Sequence, residues 1–245
     1  MQHPMPALQG MSYPGRLVAL GRDASGRLAV VLYAVTGRSA ASRARRLVRD
    51  GSTVWTRSTD PEALKSGRAD LLVYPAIRIG RGVAVSNGRQ TADIDAEEGT
   101  DPAETLERGL REWSYEPDGP IYTPRISGCI LPSGRMGLSI LRRTPDGGAE
   151  RAFFGVPAEP GRGRFVATYT GENRDPVPSF AGGPRELALP GAAARETAEA
   201  AYASLGPGSA GAPDFRVAVA CLFADMSDPA GFDLHIINRD ERERP

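Results

Sequence analysis

The fold class this sequence predicts is α+β, a layered domain of strands with few helices, and three observations lead to it. Short runs of valine, leucine and isoleucine recur along the chain, separated by turns rich in glycine and aspartate, which is hairpin punctuation. The apolar period switches to helical spacing at only two places, 102–114 and 192–205, where residues three and four apart form one face. Strands come first, then a helix, then strands again, which favours an α+β domain over a doubly wound parallel sheet.

Taken in order, Met1 to Gly10 hold Pro4, Pro6 and Gly10 and no periodic pattern, so 1–11 reads as a disordered tail, or as an upstream extension if Met11 is the start. Order is expected to begin near Tyr13. Apolar runs at 17–20, 28–35, 53–56, 71–79 and 83–85 read as strands, with 21–26 as a turn. Asp101-Pro102-Ala103-Glu104 then supplies an N-cap, a first-turn proline and an early acid, opening a helix over 102–114 with Leu106, Leu110 and Trp113 on one face. Strands resume at 125–131, 136–142, 152–156 and 165–169, followed by a proline- and glycine-rich loop at 173–184. The second helix, 192–205, is alanine-rich and aligns Ala194, Ala198, Ala201 and Leu205 for packing. Strands at 215–224 and 232–238 complete a single domain spanning 12–240, and 241–245 reads as a frayed tail.

Composition narrows the function classes. The chain has 245 residues and a formal net charge of zero, enough length for a sizeable core and no global field to attract a polyanion. Nucleic acid is therefore not the expected partner. No apolar run is long enough for a membrane helix and the N-terminus lacks a signal-peptide pattern, which points to a soluble protein with no membrane partner. Cys129 and Cys221 lie in apolar runs without metal or redox spacing, so they read as buried reduced thiols in the cytoplasm. Arginine far outnumbers lysine, and Arg43, Arg45, Arg46 and Arg49 read as a solvated surface patch that reflects composition.

The common catalytic templates find little support. The two histidines are His3, in the tail, and His235, so a histidine-based triad would rest on His235 alone. Walker and dinucleotide fingerprints are missing, Gly80-Arg81-Gly82 being too short, and no cofactor is expected. The run Asp93, Asp95, Glu97 and Glu98 lacks the glycine and terminal glutamate of a calcium loop, so it reads as a solvated connector and no metal is expected.

What remains are polar and cationic residues where strands give way to turns: Val85-Ser86-Asn87-Gly88, Tyr122-Thr123-Pro124-Arg125-Ile126 and Thr168-Tyr169-Thr170-Gly171-Glu172-Asn173. Such positions suit an anion site. With Gly37-Arg38-Ser39, Tyr74-Pro75-Ala76-Ile77-Arg78, Thr91 and Tyr115-Glu116, these runs resemble the archaeal-type IMP cyclohydrolase family in order and content. The resemblance extends from Tyr13-Pro14-Gly15-Arg16 to the final strands. It departs at Pro75 and Tyr122, where the family pattern has asparagine, and at the loops 157–164 and 175–190. Tyr122 is expected to put a large ring near Arg125.

The resemblance implies a four-layer αββα sandwich like that of N-terminal-nucleophile hydrolases, without a terminal nucleophile. It implies a purine ribonucleotide substrate, 5-formamidoimidazole-4-carboxamide ribotide, closed to IMP with loss of water in purine biosynthesis. That intramolecular reaction draws much of its rate from holding the reacting groups together, and needs a phosphate clamp, proton transfer and oxyanion stabilisation. On this footing Tyr74, Glu116 and Arg38 are the catalytic candidates. Arg125, Asn87, Thr123, Tyr169, Thr170 and Asn173 are the substrate-binding ones. Asn87-Gly88 also reads as an ordinary hairpin turn, and Glu116 as an exposed turn acid before Pro117.

Rival readings are a relative acting on a similar heterocycle in secondary metabolism, a non-catalytic purine-nucleotide-binding protein, and an amidohydrolase using Ser12 exposed after removal of Met11. Sandwiches of this kind expose sheet edges that pair into homo-oligomers.

Overall fold

The computed structural model describes residues 5–62, 69–228 and 231–242. They form two antiparallel sheets. In chain order the strands are β1 (Arg16–Arg22), β2 (Ala29–Thr36), β3 (Arg45–Asp50), β4 (Thr53–Ser58), β5 (Tyr74–Ile79), β6 (Val83–Ser86) and β7 (Arg125–Ile130). Then follow β8 (Met136–Arg143), β9 (Ala149–Val156), β10 (Arg162–Ala167), β11 (Arg185–Ala188), β12 (Arg216–Ala224) and β13 (Phe232–Asn238). The first sheet has six strands in the order β11-β10-β1-β2-β12-β13, and the second seven in the order β3-β4-β5-β6-β7-β8-β9.

Among the described residues two helices exceed a single turn, α1 (Pro102–Gly109) and α2 (Ala194–Ser204). Helix α1 begins where expected: the Asp101 carboxylate accepts from the backbone N–H groups of Ala103 and Glu104 at 2.9 and 3.1 Å, satisfying donors the helix leaves open. It ends a turn earlier than its apolar spacing predicts. A Cβ on Gly109 would lie 2.6 Å from the Asp93 carbonyl, so the chain leaves the helix where the Asp93 loop presses against it. Helix α2 buries Ala194, Ala198 and Ala201 as its spacing predicts. Its Ala193 N-cap has no side-chain acceptor, and Asp233 of β13 accepts from the Ala194 N–H instead, at 2.9 Å.

The sheets share one core. On the seven-stranded sheet the faces separate by alternation: Val83, Val85, Ile130, Leu138 and Ile140 join the core shared with the other sheet, whereas Ala84, Cys129, Leu131 and Leu141 pack with Leu106 of α1. In the six-stranded sheet β2 is buried at every position, which requires cover on both faces. Both cysteines are buried and free. No helix among the described residues is long and apolar enough to cross a membrane.

Several expectations need correction. Met5, Leu8 and Met11, placed in a disordered tail by pattern, are buried in the core at 0%, 0% and 5% exposure; only 1–4 of that segment, including His3, lie outside the described residues. The patch around Arg45 and Arg46 is strand β3, and Arg45 is buried. The run 71–79 is a helical turn at Ala69–Leu72 followed by β5, and β11 falls in a stretch with no strand pattern. The tail at 241–245 is in part a helical turn, Arg239–Arg242, tied by Glu241 to Arg46 and by Arg242 to Glu199; 243–245 lie outside the described residues.

Candidate active site

Strand register collects the polar chain segments at one end of both sheets. The start of β1 faces the end of β2 (Arg16 opposite Val35), and Ala167 at the end of β10 faces Leu17. In the other sheet Ser86 at the end of β6 pairs with Ser127 near the start of β7, and Tyr74 opens β5 opposite Thr56. A cavity of about 360 Å³ opens at this end, walled among others by Arg16, Arg38, Arg45, Glu116, Thr123 and Tyr169.

At its base Arg16 Nη2 donates to Glu116 Oε1 across 2.6 Å, with both side chains buried. Glu116 is thus no exposed turn acid. Its loop is closed by its own N–H on the Thr123 carbonyl at 2.8 Å and by Asp118, whose carboxylate accepts from the Thr123 N–H and Oγ1 at 2.7 and 2.5 Å. Burial pushes the Glu116 carboxyl above the ordinary glutamate value, while Arg16 and Arg125 pull it back and Asp118 adds to the rise. Burial also opposes the charge on Arg16, but Glu116 and the hydroxyls of Tyr74, Tyr169 and Tyr33 more than compensate, so the guanidinium stays protonated.

Arg16 is held by its backbone. Its N–H donates to Thr168 Oγ1 at 3.1 Å, and that hydroxyl donates to the Pro14 carbonyl. Gly15 makes the close approach possible, with φ +72° and no Cβ to strike Thr168. The run Tyr13-Pro14-Gly15-Arg16 carries part of the family resemblance, but its residues alone imply no role for Arg16. A cation following a left-handed glycine at the first strand was the available signal.

Asn87 sits at the centre of a buried network. Its Nδ2 donates to Glu116 Oε1 at 3.1 Å and to the Pro124 carbonyl at 3.0 Å. Its Oδ1 accepts from the Ile126 N–H at 2.9 Å and from Gln90 Nε2 at 3.0 Å. Arg125 Nη1 in turn donates to Gln90 Oε1 at 2.9 Å, and its guanidinium lies 4.7 Å over the Trp113 ring. The hairpin-turn reading of Asn87-Gly88 is therefore wrong: a 3₁₀ turn, Arg89–Asp93, follows Gly88.

The other candidates divide. Thr123 Oγ1 and the Tyr169 hydroxyl share a 2.8 Å hydrogen bond at the cavity wall. Burial raises the Tyr169 hydroxyl above its ordinary value against the pull of Arg16 and Thr123. Arg38 lines the mouth, donates to the Arg174 carbonyl at 3.1 Å, lies 3.5 Å from Asp175, and sits over the Tyr13 ring. Tyr74 is buried with its hydroxyl 2.9 Å from that of Tyr33. Arg125, Asn87, Tyr74, Thr170 and Asn173 do not line the cavity; Asn173 is exposed, and the Thr170 hydroxyl is buried without a hydrogen-bond partner.

Arg45 is the residue that pattern missed most clearly. Its Nε donates to the Ser42 carbonyl at 2.9 Å, and the residue, buried by the rest of the chain, lines the cavity. The Tyr122 ring, expected near Arg125, packs instead on Tyr115 and Arg143. Ser12 Oγ donates to the Gly171 carbonyl, and His235 lies in β13 opposite Cys221. A groove of about 420 Å³ beside Arg78 and the acidic run has none of the cavity's residues, and Asp93 in it accepts from Trp113 Nε1.

A family model described as "IMP cyclohydrolase-like protein" matches residues 13–220, a span that includes every cavity residue named above. No curated protein matches the sequence.

Proposed function

The chain belongs to the IMP cyclohydrolase-like protein family, and from that premise we propose how its cavity performs the family's dehydrative ring closure of 5-formamidoimidazole-4-carboxamide ribotide to IMP. The observation that carries the reading is one buried carboxyl, Glu116, held between Arg16 and Asn87 in a cavity that Arg38 and Arg45 also line.

Arg38 and Arg45 hold the ribotide phosphate, because a guanidinium stays charged and presents a fixed fork of donors to a phosphate. That orients the heterocycle toward the base of the cavity, where the carboxamide nitrogen meets the formyl carbon. Glu116, its carboxyl raised by burial, takes a proton from the nitrogen as the C–N bond forms. The formyl oxygen becomes an oxyanion. Arg16, with the hydroxyl pairs of Tyr74 with Tyr33 and Tyr169 with Thr123 around it, supplies the positive field that stabilises it. The proton held by Glu116 returns to that oxygen to make a hydroxyl, which takes the proton lost from the former formamido nitrogen and leaves as water as that nitrogen forms the ring C=N bond. Asn87 orients the carboxyl, and Thr170 and Asn173 lie on the segment that follows Tyr169, outside the cavity lining. Every step uses residues of this chain.

The alternating burial of β6 and β7 and the full burial of β2 support a four-layer αββα sandwich with α1 and α2 outside. Free buried cysteines and zero net charge fit a cytoplasmic enzyme acting on the free nucleotide.

The test is the absorbance change on mixing the protein with 5-formamidoimidazole-4-carboxamide ribotide, beside Glu116→Gln. IMP formation above the spontaneous rate, lost in the variant, is the expected result. Binding of the ribotide without turnover would leave a nucleotide-binding protein or a different heterocycle.

A further inference from the structure

Gln90 carries no motif in the sequence, yet it is fully buried and both ends of its side chain are engaged. Its amide nitrogen donates to Asn87 Oδ1 and its oxygen accepts from Arg125 Nη1. The polarity of this chain is dictated from outside. A guanidinium can only donate, so Gln90 must turn its oxygen to Arg125 and its nitrogen to Asn87. Asn87 must then turn its own nitrogen to Glu116, an orientation that the Ile126 N–H and Pro124 carbonyl also demand. The result is an unbroken run of donors, from a buried cation through two amides to the Glu116 oxygen that Arg16 also holds.

Gly88 belongs to the same device. A Cβ there would stand 2.5 Å from Gln90 Oε1 and 2.6 Å from Arg125 Nη1, and real Cβ atoms do not approach so closely. The glycine after Asn87 is thus required by the passage of the relay and not by a turn. Trp113 backs the guanidinium on its other side, so Arg125 is fixed behind the carboxyl and outside the cavity wall.

We infer that Gln90 is a positioning residue, which with Gly88 and Asn87 couples the buried Arg125 cation to the Glu116 carboxyl, so that Arg125 acts on the proton-transfer group and not on the substrate phosphate. The inference rests on the ring-closure reading for its catalytic meaning, but the coupling itself can be measured without turnover. The charged groups acting on Glu116 are Arg16 from β1, Arg125 from β7 and Asp118 from its own loop, with Arg38 and Arg45 across the cavity. Of these the relay addresses Arg125 alone. Breaking it weakens the support that Arg125 and the Asn87 donor give the carboxylate, leaving Arg16.

The experiment follows the Glu116 carboxyl carbon by NMR in protein labelled at glutamate side-chain carboxyls, the signal being assigned by its loss in E116Q. Gln90→Glu keeps the shape and adds an opposing charge to the relay; Gly88→Ala blocks the relay by sterics alone. Expected is a rise of the Glu116 titration midpoint by about one pH unit in Q90E, a tenfold change in its ionisation equilibrium, and a rise of the same sign in G88A. Ribotide affinity should stay within about twofold of wild type, since none of these side chains lines the cavity. An unchanged midpoint in the variants that fold overturns the inference, whatever the change in melting temperature. So does a tenfold loss of ribotide affinity in R125M with the midpoint unmoved, which would make Arg125 a substrate anchor. If the wild type neither binds nor converts the ribotide, the proposed reaction falls while the titration still decides the relay.

Discussion

Arg16 and Glu116 stand 100 residues apart in sequence and 2.6 Å apart in space, both buried at the base of the cavity. The pair joins the first strand of one sheet to the loop that feeds a central strand of the other. A buried ion pair is a poor source of stability, because desolving both charges offsets most of their attraction. Its value here lies in placing a proton-accepting carboxyl beside a fixed positive charge.

Replacing Glu116 with glutamine removes the base and keeps the shape. We expect kcat to fall by about 10²–10⁴, the usual contribution of a positioned general base, with ribotide binding retained. Stopped absorbance assays and a direct binding isotherm separate the two effects; unchanged kcat would remove Glu116 from the mechanism.

The pH profile follows from the direction of the Glu116 shift. The ionised carboxyl is the base, and burial raises its value, so kcat should fall on acidification at a higher pH than an exposed glutamate would give. The stability sign is the reverse: a raised folded value favours the folded state below the unfolded value, and this contribution is lost as pH rises through the folded one. E116Q should lose the acidic limb of the kcat profile and flatten the stability profile over that window. A limb that survives in E116Q belongs to another group.

Arg45→Ala and Arg38→Ala test the phosphate clamp. Charge-assisted hydrogen bonds contribute about 1.5–3 kcal/mol, so each variant should raise KM for the ribotide by roughly 10- to 100-fold, with a smaller change in kcat. Steady-state kinetics with added inorganic phosphate as competitor provide the check. A fall in kcat at constant KM would place these arginines at the reacting groups.

Leu8→Ala tests the N-terminal segment. Leu8 is fully buried, and truncating such a leucine costs about 2–5 kcal/mol. Denaturant unfolding should show that loss; a change below about 0.5 kcal/mol would return 5–11 to the status of a tail.

Gly15→Ala addresses the left-handed residue that precedes Arg16. The backbone is left-handed at φ +72°, and a Cβ would come within 2.1 Å of Thr168 Oγ1. The conformation alone costs about 1–2 kcal/mol for a residue with a side chain, and relief of the clash must displace Thr168 or Arg16. We expect a lower melting temperature together with a fall in kcat, and a drop in melting temperature with kcat intact would show that Arg16 keeps its place.

Local chemistry accounts for what was legible from the chain alone. The Asp101 cap, the alanine face of α2 and the apolar runs of β1, β2, β7, β8 and β12 are written in neighbouring residues, and each element obeys its own period. Family membership was legible too, since short runs in a fixed order survive changes in loops. The interior of the site was not. Whether Glu116 before a proline is buried, whether Asn87-Gly88 is a turn or a junction, and whether Arg45 meets solvent or a cavity depend on residues distant in the chain. Met5 and Leu8 show the same limit, because an apolar residue without a period is placed only by the surface it finds. Sequence determined most of the elements, and the family, because both are properties of contiguous residues. Tertiary structure alone decided the ion pair and the relay, because charge coupling and desolvation depend on distance in space, which the register of two sheets sets.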